Sequence, residues 1–216
     1  METIILQSDN LSDLQQAAEL LRAGETVAFP TDTVFGLGAN AQNDTAVQKI
    51  YEAKGRPSDK PLILLIHDKA QLQQFVDEVS DVAVKLIETF WPGPLTLVLP
   101  LKQNTVSETV TRGMTTIGVR MPNHPVALKL LQLANVPIAA PSANLSGNPS
   151  PATAEEVAAD LDGRIAAIVS GSVCSIGQAS TIIDVSSTTP VILRQGLISA
   201  AQLEQILGVP VKAVNA

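Results

Sequence analysis

Residues 43–66, NDTAVQKIYEAKGRPSDKPLILLI, hold the pattern that decides the fold. Asn43 or Asp44 can cap a helix whose apolar stripe runs through Val47, Ile50 and Tyr51, and Gly55 with Pro57 stops it. A short basic loop follows, and PLILLI then reads as a buried strand. Upstream the design occurs once before: LSDLQQAAELLRAG puts Leu11, Leu14, Ala18 and Leu21 on one helical face, Gly24 closes it, and TVAFP reads as a strand. Downstream the spacing predicts a short helix near 69–76, helices over 80–90, 123–134, 153–160 and 199–207, and a strand in PLTLVLP. Further strands are expected at 115–121, 136–140, 165–170, 180–185 and 190–194. Interleaved helices and strands favour an α/β fold with helices packed on an open, twisted sheet. The close spacing of strands after 165 adds antiparallel pairing, which makes the sheet mixed.

The 216 residues are 45% hydrophobic and 3% aromatic, so the core is built from aliphatic side chains. No composition break, repeat or linker divides the chain, and one domain over 1–210 is expected, with 211–216 (VKAVNA) as a loose tail. The start METIILQSDN lacks the basic and apolar regions of a signal peptide, and no apolar run is long enough to span a membrane. A cytoplasmic location is the expectation. Cys174 is the single cysteine and has no zinc-ligand neighbours in sequence, which leaves it a small apolar residue. His67 and His124 are too few for a zinc site, and His124 is placed to cap the helix that follows it.

Fourteen Lys and Arg against 21 Asp and Glu give a formal net charge of -7, which argues against a broad nucleic-acid surface. Against that background the cluster Lys54, Arg56 and Lys60 stands out. Lys54 continues the stripe of Val47, Ile50 and Tyr51, so it faces inward, where a cation wants an anion. Taken alone, the trio also fits a lysine at the negative end of its own helix with two solvated loop cations. In TTIGVRMP, strand alternation sends Ile117 and Val119 to one face and Thr116, Gly118 and Arg120 to the other. Arg120 carries a planar fork suited to a carboxylate or phosphate. Hydroxyl-rich turns occur in PTDTVFGLG, PSANLSG and STIID, at strand ends where α/β sheets gather ligands. Together these anchors would satisfy a polyphosphate and an amino acid. No phosphate-binding GxxxxGK[ST] loop and no Gly-x-Ser-x-Gly nucleophile motif is present.

Seven motifs, PTDTVFGLG, AKGRPSDKP, WPGPLT, VRMPNHP, PSANLSG, STIID and ILRQG, make the chain resemble the YrdC family of threonylcarbamoyl-AMP synthases. The resemblance implies a twisted, open mixed sheet with flanking helices around a deep, positively charged cavity. It also implies conversion of L-threonine, bicarbonate (or CO2) and ATP to threonylcarbamoyl-AMP and pyrophosphate. That product would pass to threonylcarbamoyl-transfer proteins that modify tRNA beside the anticodon. By the same resemblance, Arg56, Lys60, Thr116, Asn144 and Arg194 would contact ATP, Thr33, Arg120, Ser142 and Ser180 would hold threonine, and Lys54 and Arg56 would serve catalysis. Mg2+ is expected to arrive on the ATP phosphates, with no protein side chain as its ligand. Leu65 stands where some members of the family carry a histidine. Longer members add a second domain, so a short, single-domain form is the expectation here. Two further readings are a non-catalytic RNA-binding module, disfavoured by the acidic balance and scarce aromatics, and a related carbamoyl transferase with another acceptor.

Overall fold

A computed structural model describes residues 2–214. In chain order its elements are β1 (Ile4–Gln7), α1 (Leu11–Arg22), β2 (Val27–Phe29), β3 (Gly36–Asn40), α2 (Asp44–Lys54), β4 (Ile63–Leu65), α3 (Leu72–Phe75), α4 (Asp81–Phe90) and β5 (Leu95–Pro100). They continue with α5 (Glu108–Thr111), β6 (Thr116–Arg120), α6 (Pro125–Ala134), β7 (Ile138–Ala139), α7 (Ala154–Leu161), β8 (Ala167–Ser170), β9 (Thr181–Asp184), β10 (Val191–Arg194), α8 (Ala200–Leu207) and β11 (Lys212–Ala213). A single 3-10 turn at Lys69–Gln71 leads into α3.

The strands form one sheet in the order β1-β8-β2-β3-β7-β4-β6-β5-β9-β10-β11. Parallel pairs such as β4 with β6 alternate with antiparallel ones such as β5 with β6 and β9 with β10, so the sheet is mixed. Strand residues divide by the two-residue period of the pleat. Val27 and Phe29 of β2, Leu65 of β4 and Ala167 and Val169 of β8 enter a core beneath α1 and α6. Their neighbours Ala28, Leu64 and Ile168 enter the larger core beneath α2, α4, α7 and α8.

The helix ends follow local chemistry. Asn43 accepts from the Ala46 N–H at 3.1 Å to start α2. Gly55, at φ 56, ends it in the left-handed conformation. Thr153 with Glu156 and Ser199 with Gln202 form capping boxes on α7 and α8. His124 occupies the position before α6 but makes no side-chain cap bond; its Nε2 lies 3.2 Å from Ser172 Oγ. The helix start is supplied by Pro125 instead.

Four elements depart from the sequence expectation. GLGAN is the strand β3, although glycines favour turns: a Cβ on Gly38 would stand 2.7 Å from the Phe29 ring, so this strand is glycine-bearing to admit that ring. β1 and α5, both four residues long, carry too little pattern to announce themselves. The loose tail expected from 211 is corrected over its first residues: Val211 is buried, and Lys212 and Ala213 pair in parallel with Val191 and Ile192 of β10. Of the expected tail, Asn215 and Ala216 lie outside the described residues. No helix among the described residues is long and apolar enough to cross a membrane.

Candidate active site

The largest concentration of chemistry lies where several strands end. The turn after β2, the ends of β4, β6 and β10, the segment after β7 and the start of β9 enclose a cavity with about 710 Å³ of empty space including its mouth. Its lining includes Thr33, Arg56, Arg120, Ser142, Ser180 and Arg194, with Val34, Ile63, Leu65, Ala140 and Ile182 as apolar wall. Three guanidinium groups thus face a lining that contains no Asp or Glu.

Thr31 and Thr33 build the turn after β2. Thr31 Oγ1 donates to the Val34 carbonyl at 2.6 Å and accepts from the Thr33 N–H at 3.2 Å. Its single proton is therefore committed, and the 3.0 Å contact between the two hydroxyls is a donation from Thr33. Thr33 Oγ1 also accepts from Arg120 Nη1 at 2.7 Å. One lone pair of Thr33 stays free, which makes it an acceptor toward the cavity.

Arg120 is 4% exposed. Its Nε donates to the Gly93 carbonyl at 3.0 Å and its Nη2 forms a salt bridge to Asp32, itself 3% exposed. Asp32 Oδ1 also accepts from the Asn123 N–H at 3.1 Å. Burial lowers the Arg120 pKa, opposed by the Asp32 charge. Three of its five N–H groups are thus taken inside the protein, and two remain for a ligand.

Ser180 is fixed at the opposite wall. Its hydroxyl contacts Thr96 Oγ1 at 2.9 Å and accepts from Arg194 Nη2 at 3.0 Å, and its carbonyl accepts from Arg194 Nε and Nη2 at 3.1 and 2.9 Å. The pKa of Arg194 is lowered by burial first and then by the charges of Arg120 and Arg56, so Arg194 feels both other cations across the cavity. Arg56 reaches the rim with Nη2 3.0 Å from the Pro61 carbonyl, and burial is the main reason its own pKa falls.

Four residues named from sequence do not line the cavity. Lys54 faces inward, and its partners within the protein are neutral oxygens. Its Nζ donates to the carbonyls of Ser142 at 2.6 Å and Asn144 at 2.5 Å, with Asn144 Oδ1 at 3.5 Å. An ammonium has three N–H groups, and all three are spent on neutral oxygens. Lys54 therefore buckles the PSANLSG segment to α2 from behind. Asn144 belongs to the same buckle: its Nδ2 donates to the Leu145 and Asn148 carbonyls, and Asp160 closes the loop by accepting from the Leu145 N–H at 2.9 Å and Asn148 Nδ2 at 2.8 Å. Lys60 projects from an exposed loop. Thr116 opens β6 opposite Pro100, at the end of the strand away from Arg120.

Asp32 escaped the sequence reading. Its only signal was a carboxylate inside a hydroxyl-rich turn at a strand end. Among the described residues no group of three or more His, Cys, Asp or Glu is gathered as a metal site. Cys174 is buried, and burial pushes its thiol up to about 11, which fits an inert residue.

A family model described as Sua5_yciO_yrdC, telomere recombination, matches residues 19–196. The chain is 54% identical over 201 residues to a threonylcarbamoyl-AMP synthase of Bacillus subtilis, covering 93% of this chain and 58% of that protein. It is 38% identical over 188 residues to a threonylcarbamoyl-AMP synthase of Photobacterium profundum, covering 86% of this chain and 100% of that protein. A crystal structure of P. abyssi Sua5 complexed with L-threonine superposes with a TM-score of 0.92 at 45% identity, covering 98% of this chain and 62% of that one. The chain thus spans a little under three-fifths of the Bacillus subtilis relative.

Proposed function

The chain belongs to the Sua5_yciO_yrdC family, and from that premise we propose that it is a threonylcarbamoyl-AMP synthase. The observation that carries the proposal is one cavity in which Arg56, Arg120 and Arg194 face hydroxyls of Thr33, Ser142 and Ser180 without a carboxylate in the lining. An ATP triphosphate carries about four negative charges, which that trio of guanidiniums can bind and, as charge moves to pyrophosphate, stabilise.

In this reading L-threonine sits against Thr33, Arg120, Ser142 and Ser180. The free lone pair of Thr33 accepts from the substrate amine, and the two unused N–H groups of Arg120 meet its carboxylate. The amine, once deprotonated, adds to CO2 derived from bicarbonate. A carbamate oxygen then attacks the α-phosphorus of ATP in line, and the bond to the β-phosphate oxygen breaks, releasing pyrophosphate. Closeness and alignment of the three substrates supply the main acceleration. Arg56 and Arg194 take the phosphates. Lys54 and Asn144 act from behind the wall by fixing the segment that presents Ser142. Lys60 and Thr116 stand outside the lining, and they remain nucleotide contacts by resemblance to the family.

The described residues gather no acidic cluster for a metal, so Mg2+ would enter on phosphate oxygens of the nucleotide and offset their charge. The product is a mixed anhydride prone to hydrolysis. It is handed to a transferase that places the threonylcarbamoyl group on tRNA adenosine beside the anticodon, in the cytoplasm.

The test is pyrophosphate release together with mass detection of the adenylate. Product that requires L-threonine, bicarbonate and ATP with Mg2+ supports the proposal. Absence of the adenylate with every component present overturns it.

A further inference from the structure

The basic segment 56–61 is shaped by bonds within itself, among them Lys60 N–H to the Pro57 carbonyl at 3.4 Å, and by anchors outside it. Arg56 donates from Nε to the Lys60 carbonyl at 3.4 Å and from Nη2 to the Pro61 carbonyl at 3.0 Å, so the pose of its guanidinium follows those two carbonyls. The Lys60 carbonyl is held in turn by Tyr51, whose hydroxyl lies 2.8 Å away. The same hydroxyl is 3.2 Å from the Thr109 carbonyl. A phenol has one proton, and the shorter contact takes it.

The ring of Tyr51 is fixed from its other side. The Arg112 guanidinium stands 3.9 Å from the ring centroid, at the left-handed end of α5 with φ 56. Arg112 Nε and Nη2 are buried without hydrogen-bond partners, so the face of the ring is the group that holds them. The Leu62 N–H donates to the Val110 carbonyl at 2.8 Å and pins the far end of the segment to α5 as well.

We infer that Tyr51 is a positioning residue: clamped by Arg112, it fixes the Lys60 carbonyl and thereby aims Arg56 at the nucleotide phosphates. The inference rests on the reading of Arg56 as a nucleotide contact.

Tyr51→Phe keeps the ring and its arginine and removes only the proton given to Lys60. Loss of one such bond raises KM for ATP about 5-fold, while KM for L-threonine stays as in the parent. Amide exchange quickens at Arg56, Ser58, Asp59 and Lys60. In an Arg56→Ala background the same substitution has no further effect on KM for ATP, because it acts through Arg56. An unchanged KM for ATP, an equal further loss in the Arg56→Ala background, or a parallel rise in both KM values with a fall in Tm would overturn the inference. Should the parent protein show no ATP-dependent turnover, the proposed function falls, and amide exchange decides for the clamp: faster exchange confined to 56–60 upholds it and unchanged exchange defeats it.

Discussion

Lys54 lies where its helical spacing directs it. Helical spacing points it inward, and the surroundings it finds are carbonyls. Burial, and secondarily the charge of Arg56, pushes its pKa down from an ordinary 10.5 to about 8, with Asp160 opposing. A lysine whose folded pKa lies below its unfolded value makes folding harder while it is charged. Between pH 8 and 10.5 the unfolded chain holds the proton and the folded one has released it, so stability from this group rises with pH. The shift is equivalent to about 3 kcal/mol. In urea titrations from pH 7 to 10, wild type is expected to gain stability relative to Lys54→Met across that window. A difference that stays flat with pH would show that Lys54 remains charged throughout. Arg120 is the contrasting case: it is buried just as deeply, but Asp32 accompanies it.

At the scale of elements, the site depends on how β10 returns to β9. Thr181 Oγ1 donates to the Ile198 carbonyl at 2.8 Å and accepts from the N–H groups of Gly196 and Ile198 at 3.0 and 3.1 Å, which draws the turn after Arg194 tightly against Ser180. A Cβ on Gly196 would lie 2.4 Å from the Ala179 carbonyl oxygen and 2.5 Å from the Thr181 nitrogen, and both are backbone atoms. Gly196→Ala is therefore expected to cost about 1–3 kcal/mol of stability in denaturant titrations and to raise KM for ATP as Arg194 leaves Ser180. A variant as stable as the parent would mean that the turn can shift freely. The capped helices α1, α2, α4, α6, α7 and α8 were legible because apolar period and end signals agree over two or more turns. β3 was not, since its glycines answer to Phe29, a residue of another strand. Nor was α5, whose four residues matter through the support they give to Tyr51. In the cavity, motif resemblance named six lining residues. The salt bridge of Asp32 joins positions 88 apart, and the carbonyls around Lys54 carry no sequence identity at all, so neither could be read beforehand.

For the molecule as a whole, the two cores lie on opposite faces of one sheet and share β2, β4, β7 and β8 residue by residue, while β3, β5, β6, β9 and β10 feed only the larger core. Melting of either core therefore disturbs four strands that the other packs on. Trp91, the single tryptophan, is buried at 4% exposure and donates from Nε1 to the Leu95 carbonyl at 2.7 Å, which makes its fluorescence a local reporter. Its unfolding curve in urea is expected to coincide with that from far-UV circular dichroism. Separate midpoints would mean that the sheet divides. The same sheet sets a schedule for biosynthesis. β1 pairs with β8, and the Thr3 hydroxyl donates to the Ile165 carbonyl 162 residues later. At about 5–20 residues per second, a ribosome leaves that strand without its neighbour for roughly 8–32 s. One of the earliest strands to emerge is thus among the last to be paired, and for that interval it is a lone strand with both edges open, which a nascent-chain chaperone can cover.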